Sequence, residues 1–181
     1  MYNDLHKKSI VLCNSGLKMA LLDVLNEEID ARAAEIAACA SPWPCRKGCD
    51  ACCRRLAAVP ALTTPEWGLL REGIGRLAPA LRTQIAARIR GLGSEPPFVC
   101  PFLDQAGGAC LVYDCRPVAC RTYGFYVARD GGLYCREILA RVERGECEGV
   151  VWGSAAAVER RLDELGPRVD LRELAAALSF E

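Results

Sequence analysis

Cys45, Cys49, Cys52 and Cys53 fall within nine residues, and Cys100, Cys110, Cys120 and Cys135 follow, in a chain with twelve cysteines and one histidine. Thiolate is the only abundant soft donor. Sulfurs spaced three and four residues apart point to a cysteine-ligated metal centre rather than to scattered buried thiols. Any one of these cysteines alone would be read as a buried structural thiol, a common fate of the residue; eight at these spacings argue the other way.

Were residues 45–53 helical, Cys45, Cys49 and Cys52 would share a face and point at one centre. In a loop, Cys52 and Cys53 would diverge, leaving one to bind and the other to pack or to serve a second site, with Gly48 supplying local freedom. Cys100 precedes Pro101, Cys110 follows Gly107-Gly108, and Cys120 follows Arg116-Pro117. Such bends bring sequence-distant ligands to one ion. Arg46, Arg54, Arg55, Arg116, Arg121 and Arg136 flank cysteines, and their charge is expected to lower the thiol pKa values and to offset a four-thiolate site.

The pattern C-x3-C-x2-CC, then C-P-F-L, then C-x-x-Y-x-x-R-P-x-x-C-R resembles the YkgJ-type cysteine-cluster family, a zinc- or iron-chelating domain. The resemblance covers roughly residues 45–135. Cys45, Cys49, Cys52 and Cys53 match the first motif and Cys100-Pro-Phe-Leu103 the second. Cys110, Tyr113, Arg116, Pro117, Cys120 and Arg121 match the third, and Cys135 stands as the last cysteine of the family pattern. It implies a metal-ligand set of Cys45, Cys49, Cys52, Cys53, Cys100, Cys110, Cys120 and Cys135. Cys115 falls on a variable position and is left out, with Cys13, Cys39 and Cys147. Arg116 and Arg121 would stand beside a centre bound by Cys110 and Cys120, where a guanidinium donates to cluster sulfur or clamps an anion. Tyr113 is a further donor to such a centre, while Tyr123 and Tyr126 are read as ordinary aromatic packing.

A structural zinc module pairs two tight knuckles around one tetrahedral ion. Here the close pairs are asymmetric, and a tight run of cysteines completed by distant ones suits iron–sulfur ligation better. The expected cofactor is therefore an iron–sulfur cluster, with zinc as the alternative. The expected role is redox or electron transfer with a redox partner protein, and an oxidoreductase activity is compatible with it; the alternative is a non-enzymatic zinc-stabilised chelating or adaptor module. Cys45-x3-Cys49-x2-Cys52 also has the spacing of radical S-adenosylmethionine enzymes, but the segment after Cys53 is mostly helical and broken by prolines, and does not alternate strand and helix as their barrel does. His6 is the sole histidine and no H-E-x-x-H motif occurs, so a conventional hydrolytic zinc set is absent.

The 23 basic and 23 acidic residues cancel, leaving no net field for a polyanion, and nucleic-acid binding is not suggested. No run approaches the ~20 apolar residues of a membrane span, and Ser9-Ile-Val-Leu12 is shorter than a signal-peptide core. A cytoplasmic protein with reduced thiols is expected, not a disulfide scaffold.

These sulfurs need a frame. With 51% hydrophobic residues in 181, the chain can bury one core, so a single domain over 1–181 is expected: a flexible extension at 1–16, the cysteine-cluster core at 45–135 and C-terminal helices at 154–181. Leu17, Leu21, Val24, Leu25, Ile29 and Ile36 predict a helix over 17–38, ended by Ser41-Pro-Trp-Pro44 and lying as a lid on the cysteine core. Thr63-Thr-Pro-Glu66 has the order of a capping box, and a second helix is expected over 78–90. Residues 98–103 and 109–113 read as arms of a short hairpin. A helical stretch follows Arg116-Pro117, Asp130-Gly131-Gly132 is a turn, and further helices are expected over 136–144, 154–165 and 171–178. The expected fold class is mainly α, a compact helical domain with irregular metal-organised loops and one short hairpin.

Overall fold

The computed structural model describes residues 2–128, 131–132 and 135–176, with side chains from Ser15 onward. The fold is mainly α, with short strands in small sheets. Helix α1 spans Tyr2–Cys39, starting well ahead of the expected Leu17, and the prolines after Ser41 stand just beyond its end. Its core-facing residues are Leu22, Leu25, Ile29 and Ile36. Leu17, Leu21 and Val24, expected on that face, are exposed, because they form an apolar stripe about a quarter-turn away from the row that packs.

Strand β1 (Ala61–Leu62) leads to α2 (Thr64–Gly75), whose start is the expected capping box. The Thr63 hydroxyl accepts from the Glu66 amide, and the Glu66 carboxylate accepts from the Thr63 amide at 2.9 Å. The other Glu66 oxygen accepts from the Val118 amide at 3.0 Å, so one buried carboxylate ties this cap to a second helix start, at Val118. Helix α3 (Pro79–Arg90) follows, ending at Gly91.

The hairpin is shorter than expected: β2 (Leu103–Asp104) pairs antiparallel with β3 (Ala109–Cys110) across Gly107-Gly108. A 3-10 turn at Tyr113–Cys115 enters α4 (Val118–Thr122), the helical stretch expected after Arg116-Pro117. Strand β4 (Tyr126–Ala128) pairs with β5 (Gly131–Gly132), where a turn was expected, and runs parallel to β6 (Gly153–Ser154). Helix α5 (Arg136–Glu143) precedes β6, and α6 (Ala155–Leu165) follows it. Strand β7 (Val169–Asp170) returns antiparallel to β1 before α7 (Leu171–Ala176). Residues 177–178 of the expected last helix lie outside the described residues.

Two apolar cores result. The first joins α1, α4, α5 and α6 through Leu22, Ile29, Ile36, Val118, Phe125, Ile138, Val158 and Leu162, with Trp43 against Phe125. The second joins α2, α3 and α7 through Leu62, Trp67, Leu70, Ile85, Ile89, Phe102 and Leu171. Among the described residues no helix is long and apolar enough to cross a membrane.

Candidate metal centre

Residues 45–53 are consecutive turns, not a helix, so the shared helical face that would have aimed Cys45, Cys49 and Cys52 together does not form. The Cys49 amide donates to the Arg46 carbonyl at 2.9 Å, the Arg54 amide to Asp50 at 3.0 Å and the Arg55 amide to Cys52 at 3.2 Å. Gly48, at φ 91°, takes the left-handed conformation that reverses the chain between the first two cysteines. Arg54 fixes this loop to the β2–β3 hairpin: its Nε donates to Asp50 at 2.6 Å and a terminal nitrogen to the Gln105 carbonyl. The Cys52 and Cys53 sulfurs stand 4.0 Å apart.

The remaining cysteines arrive from separate elements. Leu56 and Phe98 exchange backbone hydrogen bonds at 2.8 and 3.0 Å, and the Cys100 amide donates to the Cys53 carbonyl at 2.7 Å. Leu103 pairs with Cys110 in the hairpin, and Cys120 rides on α4. Cys45 packs on the first core and its sulfur donates to the Tyr123 carbonyl at 3.5 Å. Gly124, at φ 88°, admits that approach: a Cβ there would lie 3.3 Å from the Cys45 sulfur and 2.9 Å from Ile138.

Seven of the eight expected ligands, Cys45, Cys49, Cys52, Cys53, Cys100, Cys110 and Cys120, line one cavity of about 370 Å³ between the two cores. Helix α1 forms part of its wall through Asp30, Ala33 and Ala37, as the expected lid should, and Leu62, Leu70, Phe102, Val112 and Phe125 add apolar surface. Cys135 does not line it; it precedes α5, packs on the first core and acts electrostatically on Cys45. Cys39, Cys115 and Cys147 stand apart from this wall, and Cys13 lies outside the described side chains. Cys115 is a packing residue, its sulfur fitted against Gly73 of α2, where an added Cβ would come within 2.9 Å.

Among the described residues no three histidine, cysteine, aspartate or glutamate side chains stand close enough together to hold one ion. The sulfurs ring a space instead of meeting at a point.

The expectation that flanking arginines lower the thiols is not met. Burial raises Cys45 to about 12, reinforced by repulsion from Cys52, Cys49 and Cys135; Arg116 opposes this only weakly. Burial raises Cys120 to about 12 as well, with Cys52, Cys53 and Cys110 adding to it. Cys120 keeps exposed area while its sulfur is crowded, consistent with a residue bordering an open cavity. Cys53 rises to about 12, first through its hydrogen bond with Cys100, and Cys52 rises through its hydrogen bond with Cys53 and then burial. Burial lifts Cys110 too. Desolvation and mutual repulsion outweigh the guanidinium field at Cys45, Cys52, Cys53, Cys110 and Cys120, so these thiols hold their protons until a bound cation displaces them.

The two arginines expected beside the centre differ. Arg121 is 7% exposed and its donors are engaged: with the Arg116 carbonyl at 3.1 Å, Asp30 at 2.5 Å and the Asp114 carbonyl at 2.6 Å. It bolts α1 to the segment carrying Cys110 and Cys120. Arg116 lies over the Tyr113 ring at 3.7 Å, and its buried Nε has no hydrogen-bond partner. Both arginines and Tyr113 line the cavity. Tyr126 packs in the first core, as expected of it. Asp30 is a site residue that the sequence does not single out, since nothing local announces its pairing with Arg121.

An all-thiolate donor set together with an orphaned guanidinium N–H fits a sulfur-ligated group of net negative charge. The class this fold and site define is a cysteine-rich metal-chelating domain. A family model described as "CxxCxxCC: Putative zinc- or iron-chelating domain" matches residues 44–146, more than half of the chain, and the chain belongs to that family. No curated protein and no solved structure matches it.

Proposed function

We propose that this chain is an iron–sulfur protein with a redox or electron-transfer role, its cluster held by the cysteines that face the cavity. The observation that carries the reading is seven cysteines disposed around a space of about 370 Å³, an arrangement that suits a multi-atom cluster better than a single ion. When bound, such a cluster supplies one-electron transfer. The protein's part is to surround the site with apolar side chains and to offer the Arg116 Nε–H as a donor; burial and hydrogen bonds to sulfur are what set a cluster's potential. The described cysteines are all free thiols, in keeping with a reducing, cytoplasmic setting; a redox partner protein completes the proposal.

Anaerobic purification followed by analysis for iron, zinc and acid-labile sulfide tests this. Brown protein with equimolar iron and sulfide and a visible band bleached by dithionite is expected. A colourless protein with stoichiometric zinc overturns it in favour of a zinc-stabilised chelating or adaptor module.

A further inference from the structure

Asp23, Asn26, Glu27 and Asp30 recur at i, i+3, i+4 and i+7 on α1, so one stripe of that helix carries three carboxylates and an amide. With Asp114, Arg116 and Arg121 they line a second cavity, of about 440 Å³. Four carboxylates against two guanidiniums leave this wall two charges negative in a chain that is neutral as a whole. The guanidiniums are already engaged, Arg121 with Asp30 at 2.5 Å and Arg116 with the Tyr113 ring. The carboxylates of Asp23, Glu27 and Asp114 have no ion-pair partner among the described residues.

Asn26 is an independent sign of a ligand. It is 8% exposed, it lines this cavity, and its Oδ1 has no hydrogen-bond partner. A buried acceptor left unpaired destabilises a fold, and no bond holds this amide, so a turn about its last side-chain bond offers Oδ1 to a donor in the cavity. The free groups on α1 and Asp114 therefore all accept, and the ligand must donate. A metal ion needs oxygens converging at about 2.0–2.6 Å, and no three acidic side chains among the described residues converge in that way. An ammonium or guanidinium fits a wider ring, with bonds of about 2.7–2.9 Å to each oxygen. Leu21 and Val24 are exposed on the same helix, Val24 one turn from Glu27, and this apolar surface suits a protein bearing the cation better than a free amine. We infer that the cavity receives a lysine or arginine side chain of a partner protein. On the redox reading above that protein is the redox partner, for Asp30, Tyr113, Arg116 and Arg121 line this cavity and the cysteine cavity alike.

Calorimetric titration of the full chain, as purified, with an acetylated and amidated tetralysine peptide at low salt tests this. Binding that weakens as salt is added is expected. Asn26→Leu, and the double variant Asp23→Asn with Glu27→Gln, should each weaken it by about tenfold, the worth of one hydrogen bond to a charged group. Glu35→Gln removes a carboxylate of the same helix that pairs with Arg32 outside the cavity, and should leave binding unchanged. No binding by the parent, or equal losses in all three variants, overturns the inference, and so does n-butylamine binding as tightly as the peptide. Peptide binding by a colourless, zinc-loaded protein would sink the redox reading and leave the docking site standing.

Discussion

The two cores hold their cysteines by different means. On the second, backbone hydrogen bonds between the segments at 53–56 and 98–100, and the hairpin at 103–110, fix the carriers of Cys53, Cys100 and Cys110 before any metal arrives. On the first, Cys45 and Cys135 lie on turns and a helix start that are held mainly by side-chain packing. Backbone pairing sets a position by geometry, while packing sets it by volume. The first set should therefore depend more on metal for its order, and the second should be closer to preformed.

The largest effect is expected from metal itself. Structural zinc binding is worth about 10–16 kcal/mol, comparable with the ~5–15 kcal/mol of a whole domain. Stripping metal with a chelator should lower the thermal midpoint sharply. Hydrogen exchange should then rise more across 45–49 than across 98–104; equal rises would erase the contrast. Cys49→Ser should reduce both metal content and soluble yield, and unchanged values would remove Cys49 from the ligand set.

A paired substitution sharpens the same comparison. Gly124→Ala places a methyl against Cys45 and Ile138 at a left-handed φ, which should cost about 1–3 kcal/mol and lower metal retention. Gly73→Ala, on α2, crowds Cys115 and Val112, with an overpacking cost of about 1–3 kcal/mol but full metal content. Urea denaturation with parallel metal analysis separates the two outcomes. Metal loss in Gly73→Ala would show that Cys115 does more than pack.

The link between the cores can be cut at Glu66, whose carboxylate accepts from Thr63 and from Val118. Glu66→Ala leaves buried amides unpaired and should cost about 1–3 kcal/mol in equilibrium unfolding. A neutral result would mean that water replaces the carboxylate there.

The pH response is nil at neutral pH and appears only in alkali. Cys45, Cys53 and Cys120 have thiols raised from 9.0 to about 12 in the folded, metal-free chain. A raised folded pKa contributes stability that is complete below the unfolded value and is lost as pH climbs through the folded one. The metal-free protein should therefore weaken progressively between pH 9.0 and about 12. Metal-loaded protein, with its thiolates already deprotonated, should weaken less over that window, as denaturant titrations at a series of pH values would reveal.

Much of the helical frame was readable because its signals are local. Thr63-Thr-Pro-Glu66 makes its own capping bonds, Gly91 follows α3, and Pro117 stands at the start of α4 regardless of what packs nearby. The apolar arc of α1 was readable as well, but which stripe of it would be buried was not. Leu22 and Leu17 look alike in sequence, and only the position of α4 and α6 distinguishes them.

Cysteine number and spacing by themselves determined that this chain is a sulfur-rich metal chelator, since thiolate chemistry belongs to the residue and travels with it. Tertiary structure alone decided that seven sulfurs face a common space, that Arg121 is spent on Asp30 while Arg116 keeps a free donor, and that the thiols are raised rather than lowered. Those outcomes depend on desolvation and on contacts between residues far apart in the chain. A sequence motif records which donors are present, not which of them end up buried beside one another.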